Sequence, residues 1–530
     1  MLSELKKLPV NSKVGVVGSG VAGLTFTYFL HKLRPDVNVK LFDAQQRTGG
    51  WIHSCNVDTL SGGSKVMLEK GPRTLRGVSD GTVLIIDSLM NLGGSDKIKC
   101  ITKDSSANKK FILSPDDKLV QVPDSIGSFG KFCMSPLSKG FLTGIGFEWA
   151  RKSKRDDVDE SVESFVKRRY GSQAISDNLM SALYHGIYAD DVSTLSAKRI
   201  MRKSYDDELK FGSFFKAYLR RSKMKKGLSE CLKEYCHVFN KDTKELMELS
   251  NTLKKYPMIG LSKGLETFPN MIREEISKSS NVEIITDKRI NRINRLKNNK
   301  IELKDKNGVI DTFDHVRVTL TPPKILELLP TSYKEIRNKL IEIESNTVIL
   351  INFYLEDKNI IPKEYSSFGY LIPKSNKNDE KVLGVIFDSV IEQNFQPLFA
   401  DNGDKLLSKR DYTKMTVMLG GHLLNDVDGK AQIPEDPQKV IERVKDALQR
   451  HIKNITREDL NRGLWQYTVA EDCLPRFNVG YDALAQEIER EVLTRFHGNV
   501  SLGGMGFSTG PGIPDVIVDG FKDSVELSQK

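Results

Sequence analysis

Three glycines, Gly18, Gly20 and Gly23, stand in G-x-G-x-x-G spacing, and an acid, Asp43, follows them. This pattern does chemistry in one setting only. A short buried strand must end at Gly18, and a helix must begin just past Gly20. Gly18 then makes the tight turn, Gly20 leaves the backbone open to a pyrophosphate, and Gly23 lets the helix lie close on the strand. The turn, with Ser19, Val21 and Ala22, would offer unpaired N–H groups and the positive end of a helix dipole to the phosphates. Asp43 can accept the hydrogen bonds of a ribose diol.

The setting is present. Residues 14–17 are a continuous apolar run, and residues 21–33 carry apolar side chains at helical spacing. A second strand, 37–42, ends on Asp43 and Ala44. Two more glycine-bearing loops follow at once: Arg47, Gly49, Gly50 and Trp51, then Gly71, Pro72, Arg73 and Thr74. Paired glycines let N–H groups crowd a ligand, and Arg47 is expected to pair with a phosphate. A nicotinamide enzyme does not need these additions, whereas an enzyme that buries a whole flavin dinucleotide does. Near the other terminus a last strand, 500–502, runs into Gly503, Gly504, Met505 and Gly506. A helix then starts after Pro511, Gly512 and Ile513, so a second helix N-terminus is expected at the same cofactor.

The chain has 530 residues, enough for two or three structural units. Apolar content of 39% and charged content of 28% are those of a globular protein, and no apolar run is long enough for a transmembrane helix. The formal charge of +10 favours acidic surfaces such as anionic lipid. The basic residues are interleaved with acids, which argues against a nucleic-acid groove. The six cysteines form no C-x-x-C pair, so no metal site is expected, and reduced thiols are. The twelve residues before the first strand are too few for a cleavable presequence, so any organelle address is expected to be internal or very short.

The glycine fingerprint, its acid, the R-x-G-G-W cluster and the G-P-R loop together resemble the flavin-dependent amine oxidase superfamily. Within it, the chain is similar to the family of oxygen-dependent protoporphyrinogen oxidases of the yeast mitochondrial type. The similarity runs through residues 69–77, 256–268, 368–373, 383–389, 417–421 and 473–477. It implies an α/β fold: an FAD-binding nucleotide domain of the GR2, p-hydroxybenzoate-hydroxylase-like kind, with a mixed-sheet substrate domain and an inserted helical membrane-binding domain. The implied division is 1–80, 256–325 and 476–530 for FAD, 81–255 for a substrate-side hairpin and the helical insertion, and 326–475 for substrate.

The same resemblance implies one non-covalent FAD per chain that takes hydride at N5, with O2 as acceptor and three H2O2 released per protoporphyrin IX made. The redox step would belong to the flavin, and no residue is assigned as a catalytic base. Val282 would offer its backbone to the adenine, and Met505 with Pro511, Gly512 and Ile513 would touch the flavin. For protoporphyrinogen IX, a flat apolar ring with two propionates, Phe368, Gly369, Leu371 and Met418 would line the chamber, Gly369 leaving room above the ring. Lys110 stands where the family commonly has arginine; it keeps a positive charge for a propionate but loses bidentate geometry. Residues 125–150, apolar with few charges, would lie in a membrane interface or form a helical core. The implied location is peripheral, at the mitochondrial inner membrane, with ferrochelatase and a second copy as partners. Two other readings stay open: an amine oxidase or carotene desaturase, and a non-catalytic binding protein like the GDP dissociation inhibitors, which share the scaffold without the flavin.

Overall fold

The computed structural model describes residues 5–154, 156–221, 227–356, 358–399, 411–426 and 429–529. Val14, Val16 and Val17 are buried, because the strand Lys13–Val17 lies in the middle of a five-stranded sheet. Every pairing in that sheet is parallel: Val500–Leu502, His315–Val318, Lys13–Val17, Asn38–Phe42 and Val282–Ile285, in that spatial order. Parallel strands need both faces covered, which explains the unbroken apolar runs. One face carries the helix Val21–Leu33, with Ile513–Ser528 against it. Gly520 lies at that contact, where a Cβ would sit at an ordinary van der Waals distance, 3.4 Å, from the backbone of Phe26. On the other face Phe313, from a three-stranded sheet spanning Arg292–Phe313 in sequence, covers Gly15, where a Cβ would meet its ring at 3.1 Å.

A second, seven-stranded sheet runs in the order Leu464–Pro475, Ser345–Glu356, Tyr412–Gly420, Val382–Ile386, Gly369–Leu371, Phe111–Leu113 and Leu119–Gln121. All its pairings are antiparallel except that of Gly369–Leu371 with Phe111–Leu113. The hairpin of Phe111–Leu113 with Leu119–Gln121 therefore closes onto the substrate-side sheet. Between the sheets the chain makes an excursion of short helices. Residues 125–150 give Ile126–Cys133 and Phe141–Gly146. Further along, the chain forms Ala197–Ile200, Arg202–Phe211 and Phe214–Arg221, and residues 222–226 lie outside the described residues. The hairpin Ser54–Asp58 with Lys65–Glu69 was not legible, because its first strand alternates half-buried and exposed polar residues.

Gly23 is the tightest point of the nucleotide turn. A Cβ there would fall 2.0 Å from the carbonyl oxygen of Gly18, whereas one on Gly127, in Ile126–Cys133, would meet nothing within 4 Å. Gly23→Ala is expected to cost about 1–3 kcal/mol through backbone displacement, while Gly127→Ala leaves stability unchanged or raised by about 0.5–1 kcal/mol. Urea titration of the two variants checks this.

Candidate flavin and substrate site

The first glycine turn is held from three sides. Gly18 sits at φ +104°, and Thr319, just past the strand His315–Val318, donates its hydroxyl to the carbonyls of Val17 at 3.1 Å and Gly18 at 3.0 Å. A Cβ on Gly18 would lie 2.8 Å from that hydroxyl, so glycine is required twice over, by angle and by space. Asp43 anchors the turn from the neighbouring strand: Oδ2 accepts from the Ser19 N–H at 2.8 Å and the Ser19 hydroxyl at 2.6 Å, and Oδ1 accepts from the Gln45 N–H at 2.8 Å. A carboxylate has about four acceptor positions, so Asp43 keeps capacity for a ribose diol. The helix Val21–Leu33 has Gly20 at its N-cap, no side-chain cap and no acid in its first turn, which leaves its first N–H groups for a ligand. Val21 is half-buried and Ala22 buried.

The second loop docks on the first. Gly49 donates its N–H to the Ser19 carbonyl at 2.8 Å, and a Cβ on Gly50 (φ +59°) would lie 2.9 Å from the Gly20 Cα. A Cβ on Gly20 itself would meet only the Gly50 Cα, at 3.8 Å, so the cradle is open there and a phosphate can approach. Gly71 in turn fits under this loop, since a Cβ on it would lie 1.9 Å from the Trp51 carbonyl. Arg47 requires one qualification, because its side chain is already engaged in this loop. Its guanidinium donates to the carbonyls of Thr48 at 3.1 Å, Ile52 at 3.3 Å and also Gly50, with the Glu266 carboxylate at 3.8 Å. These bonds take three of the five N–H donors of a guanidinium and shape the glycine loop, and Nε–H and one Nη2–H remain for an anion.

Val282 needs correcting. The parallel register sets it level with Val39, well before the Asp43 end of the sheet, and its N–H points to the Ser279 carbonyl at 3.3 Å. Ile285 and Lys288 reach that end: Asp43 donates its N–H to Ile285 at 2.9 Å, and Lys288 donates to the Asp43 carbonyl at 2.7 Å. Gly503 and Gly504 return beside the first turn. Gly503 donates to the Val318 carbonyl at 2.9 Å, and a Cβ on Gly504 (φ +86°) would lie 3.3 Å from the Thr319 carbonyl. Met505, Pro511, Gly512 and Ile513 are half-buried alongside.

Arg73 joins the two sheets. Its Nη1 lies 2.5 Å from Oδ1 of Asp388, and both side chains are nearly excluded from solvent. Asp388 accepts from the Thr416 hydroxyl at 2.6 Å, and Asn352 donates to that hydroxyl at 2.8 Å and to the Glu69 carbonyl at 3.1 Å. The G-P-R loop is thereby fixed to the substrate-side sheet; nothing in local spacing marks Asp388 for this. Pro72 is exposed and Thr74 half-buried.

On that sheet the register aligns Ile112, Leu371, Gly384, Met418 and Leu350 across one face. Leu371 and Met418, the expected chamber residues, therefore share an apolar row. Two glycines that sequence reasoning missed make space for Leu371: a Cβ on Gly186 or on Gly384 would lie 2.6 or 2.7 Å from its side chain. Gly369, at φ +142°, is explained differently from expectation. A Cβ there would lie 2.0 Å from the Val385 carbonyl, so its bare Cα serves strand pairing and not room above a ligand. Phe368 packs instead with the core that holds Tyr370 and Val417. Lys110 is exposed one residue before Phe111, with the Asn108 carbonyl 3.3 Å from its ammonium. Surrounding protein, and secondarily the charge of Arg76, draws its pKa below the usual lysine range, and no described carboxylate pairs with it.

Gly186 lies in the helix Ser181–Tyr188, which packs over this row. One residue earlier, His185 holds the Ile372 carbonyl at 2.8 Å, and burial first, then the His422 charge, brings its pKa down to about 4. Tyr188 is pushed up to about 12, mainly by burial, so it stays a neutral phenol.

A glycine cradle built from both ends of a chain, beside an apolar antiparallel face, defines a flavin oxidoreductase. Residues 21–520 match the family described as flavin containing amine oxidoreductase. The protoporphyrinogen oxidase of Saccharomyces cerevisiae is 52% identical, over 100% of both chains. That of Schizosaccharomyces pombe is 30% identical over 97% of this chain and 98% of its own. Among solved structures, cyclohexylamine oxidase from Brevibacterium oxydans aligns over 98% of this chain and 99% of its own, with TM-score 0.58 at 13% identity. The chain belongs to the flavin containing amine oxidoreductase family, and within it groups with the protoporphyrinogen oxidases.

Two tests follow from this geometry. Arg73→Met strands the buried Asp388 carboxylate and is expected to cost about 3–5 kcal/mol of stability, most of it recovered in the Arg73→Met/Asp388→Leu double variant; denaturant midpoints of the flavin-free chain report it. His185 stays neutral in the fold down to about pH 4, while the unfolded chain protonates it near its ordinary value of 6.5. The unfolded state therefore binds more protons in that window. Stability is full above pH 6.5 and falls as the pH drops towards about 4, and His185→Gln is expected to flatten part of that slope.

Proposed function

We propose that this chain is an FAD-dependent oxidase that converts protoporphyrinogen IX to protoporphyrin IX, the penultimate step of haem synthesis. The observation that carries the reading is the full-length identity of 52% to the Saccharomyces cerevisiae enzyme of that name. The residues fit the cofactor: the open Cα of Gly20, the uncapped helix start and the remaining acceptor positions of Asp43 suit a pyrophosphate and a ribose. FAD, bound once per chain and without a covalent bond, supplies a two-electron acceptor that O2 regenerates with release of H2O2, three times per porphyrin.

The chain's own part is placement. The Ile112–Leu371–Met418–Leu350 row offers a flat apolar face to a macrocycle, and thioether and branched aliphatic side chains suit its soft ring. Lys110, whose ammonium meets the Asn108 carbonyl and no described carboxylate, stands at the start of that hairpin, where it would meet a propionate.

The proposal places the protein peripherally on the mitochondrial inner membrane. No helix among the described residues is long and apolar enough to cross a membrane. What supports a surface location is a cluster of bare apolar side chains on the helical excursion: Ile126 is 93% exposed, Met134 81%, Tyr218 71% and Trp149 59%, with Phe129, Leu142, Ile145, Phe147 and Phe215 also exposed. Exposed apolar side chains on segments that also carry Lys131, Lys139 and Lys216 suit an anionic interface.

Purified protein under oxygen is expected to turn protoporphyrinogen IX into a fluorescent porphyrin. Gly20→Val, whose side chain would fill the open point of the cradle, is expected to lose bound flavin and that activity together. Oxidation of benzylamine without porphyrin formation would favour an amine oxidase, and a colourless, inert protein would favour a binding module. The double variant Ile126→Ser/Trp149→Ser is expected to move the protein from sedimenting anionic vesicles to the supernatant; unchanged sedimentation would remove the membrane face from the account.

A further inference from the structure

Arg199 belongs to the helical excursion, on the short helix Ala197–Ile200, yet its side chain ends at the C-terminal glycine loop. Only 9% of that side chain is exposed. The guanidinium lies 4.3 Å from the ring centre of Phe477 and 4.7 Å from that of Tyr481. One nitrogen pairs with Asp482, and another donates to the Ser508 carbonyl at 2.6 Å. Tyr481 adds a parallel bond, its hydroxyl donating to the Gly506 carbonyl at 2.8 Å. Burial raises the Tyr481 phenol far above neutrality, so it remains a donor at any working pH. Two carbonyls of the loop, two residues apart, are thus gripped by one stacked cluster.

The seam around this cluster already has backbone ties. Ser196 donates to the Phe477 carbonyl at 2.8 Å, and Val479 to the Thr194 carbonyl at 3.0 Å. Asp159 accepts from both Lys198 and Gly480 N–H groups, at 3.2 and 2.9 Å. These bonds join the excursion to residues 477–480, upstream of the loop. Arg199 reaches past them to the loop itself. An apolar side chain would fill the same space without a desolvated charge. What a guanidinium adds is direction, because its planar fork stacks between rings while its donors fix the carbonyl and the carboxylate.

We propose that Arg199 is a positioning residue for the flavin: acting from the helical excursion, it sets the loop 503–508 against the cofactor. This rests on the reading that the loop touches the flavin. The test titrates flavin-stripped full-length protein with FAD, following flavin fluorescence and the visible circular dichroism of the bound ring. Arg199→Met is expected to weaken FAD binding roughly tenfold and to change the dichroism, a loss of the size of one charge-assisted hydrogen bond. Arg199→Lys, which keeps a stacked cation but not the fork, is expected to fall between Met and wild type. Gly504→Val, in the loop, tests the underlying reading on its own.

If Gly504→Val binds FAD like the wild type, the loop does not hold the flavin and the reading fails first. If Gly504→Val loses FAD while Arg199→Met and Arg199→Lys bind with wild-type affinity and dichroism, Arg199 is structural and the proposal is overturned. A lowered melting point of stripped Arg199→Met with unchanged FAD affinity below that temperature overturns it equally. Graded loss of affinity across wild type, Lys and Met, with a changed flavin spectrum, supports it.

Discussion

The structure depends on one sheet register. Val14 pairs with His315, and Val316 pairs with Val500, all in parallel. Strands from the beginning, the middle and the end of the chain therefore stop at one edge, and their glycine turns open there together. Thr319 sits between them, with its hydroxyl on the first turn and its carbonyl near Gly504. Neither terminus could form half of the cradle alone, because parallel strands need crossovers that cover both faces. The long excursions between them are what this register permits.

The excursions are not loosely attached. Arg73 reaches from the cradle into the substrate-side sheet at Asp388, and Arg199 reaches from the helical excursion into the last glycine loop. Both are low-exposure arginines with a carboxylate partner, and each would leave a stranded charge if its partner were lost. A fold assembled from interleaved segments gains specificity this way, since apolar packing is non-directional and hydrogen-bonded forks are not. The apolar row from Ile112 to Leu350 supplies the complementary feature, a flat face on which Leu371 is accommodated by Gly186 and Gly384.

What could be read from the residues was local. The strand at 14–17, the helix Val21–Leu33, the strand Val282–Ile285 and the strand Val500–Leu502 follow from runs and periodicity that each segment carries by itself. Gly18 and Gly23 were legible because their reasons lie within a few residues, whereas Leu371 and Met418 were reached only through the family resemblance. Misreadings came where a distant partner decides. Val282 looked like an adenine contact until the register placed it at the far end of its strand. Gly369 answers to a carbonyl of the neighbouring strand, and Thr319, Asp388 and Arg199 act across separations for which sequence spacing holds no signal.

Crystals of the purified protein with its native flavin offer the most direct test of joint grip by both chain ends. The account predicts density for a dinucleotide running from Asp43 across Gly20, with the ring lying between the loop 503–505 and the Leu371–Met418 row. Density confined to one terminus, or a ring far from either glycine loop, would contradict it.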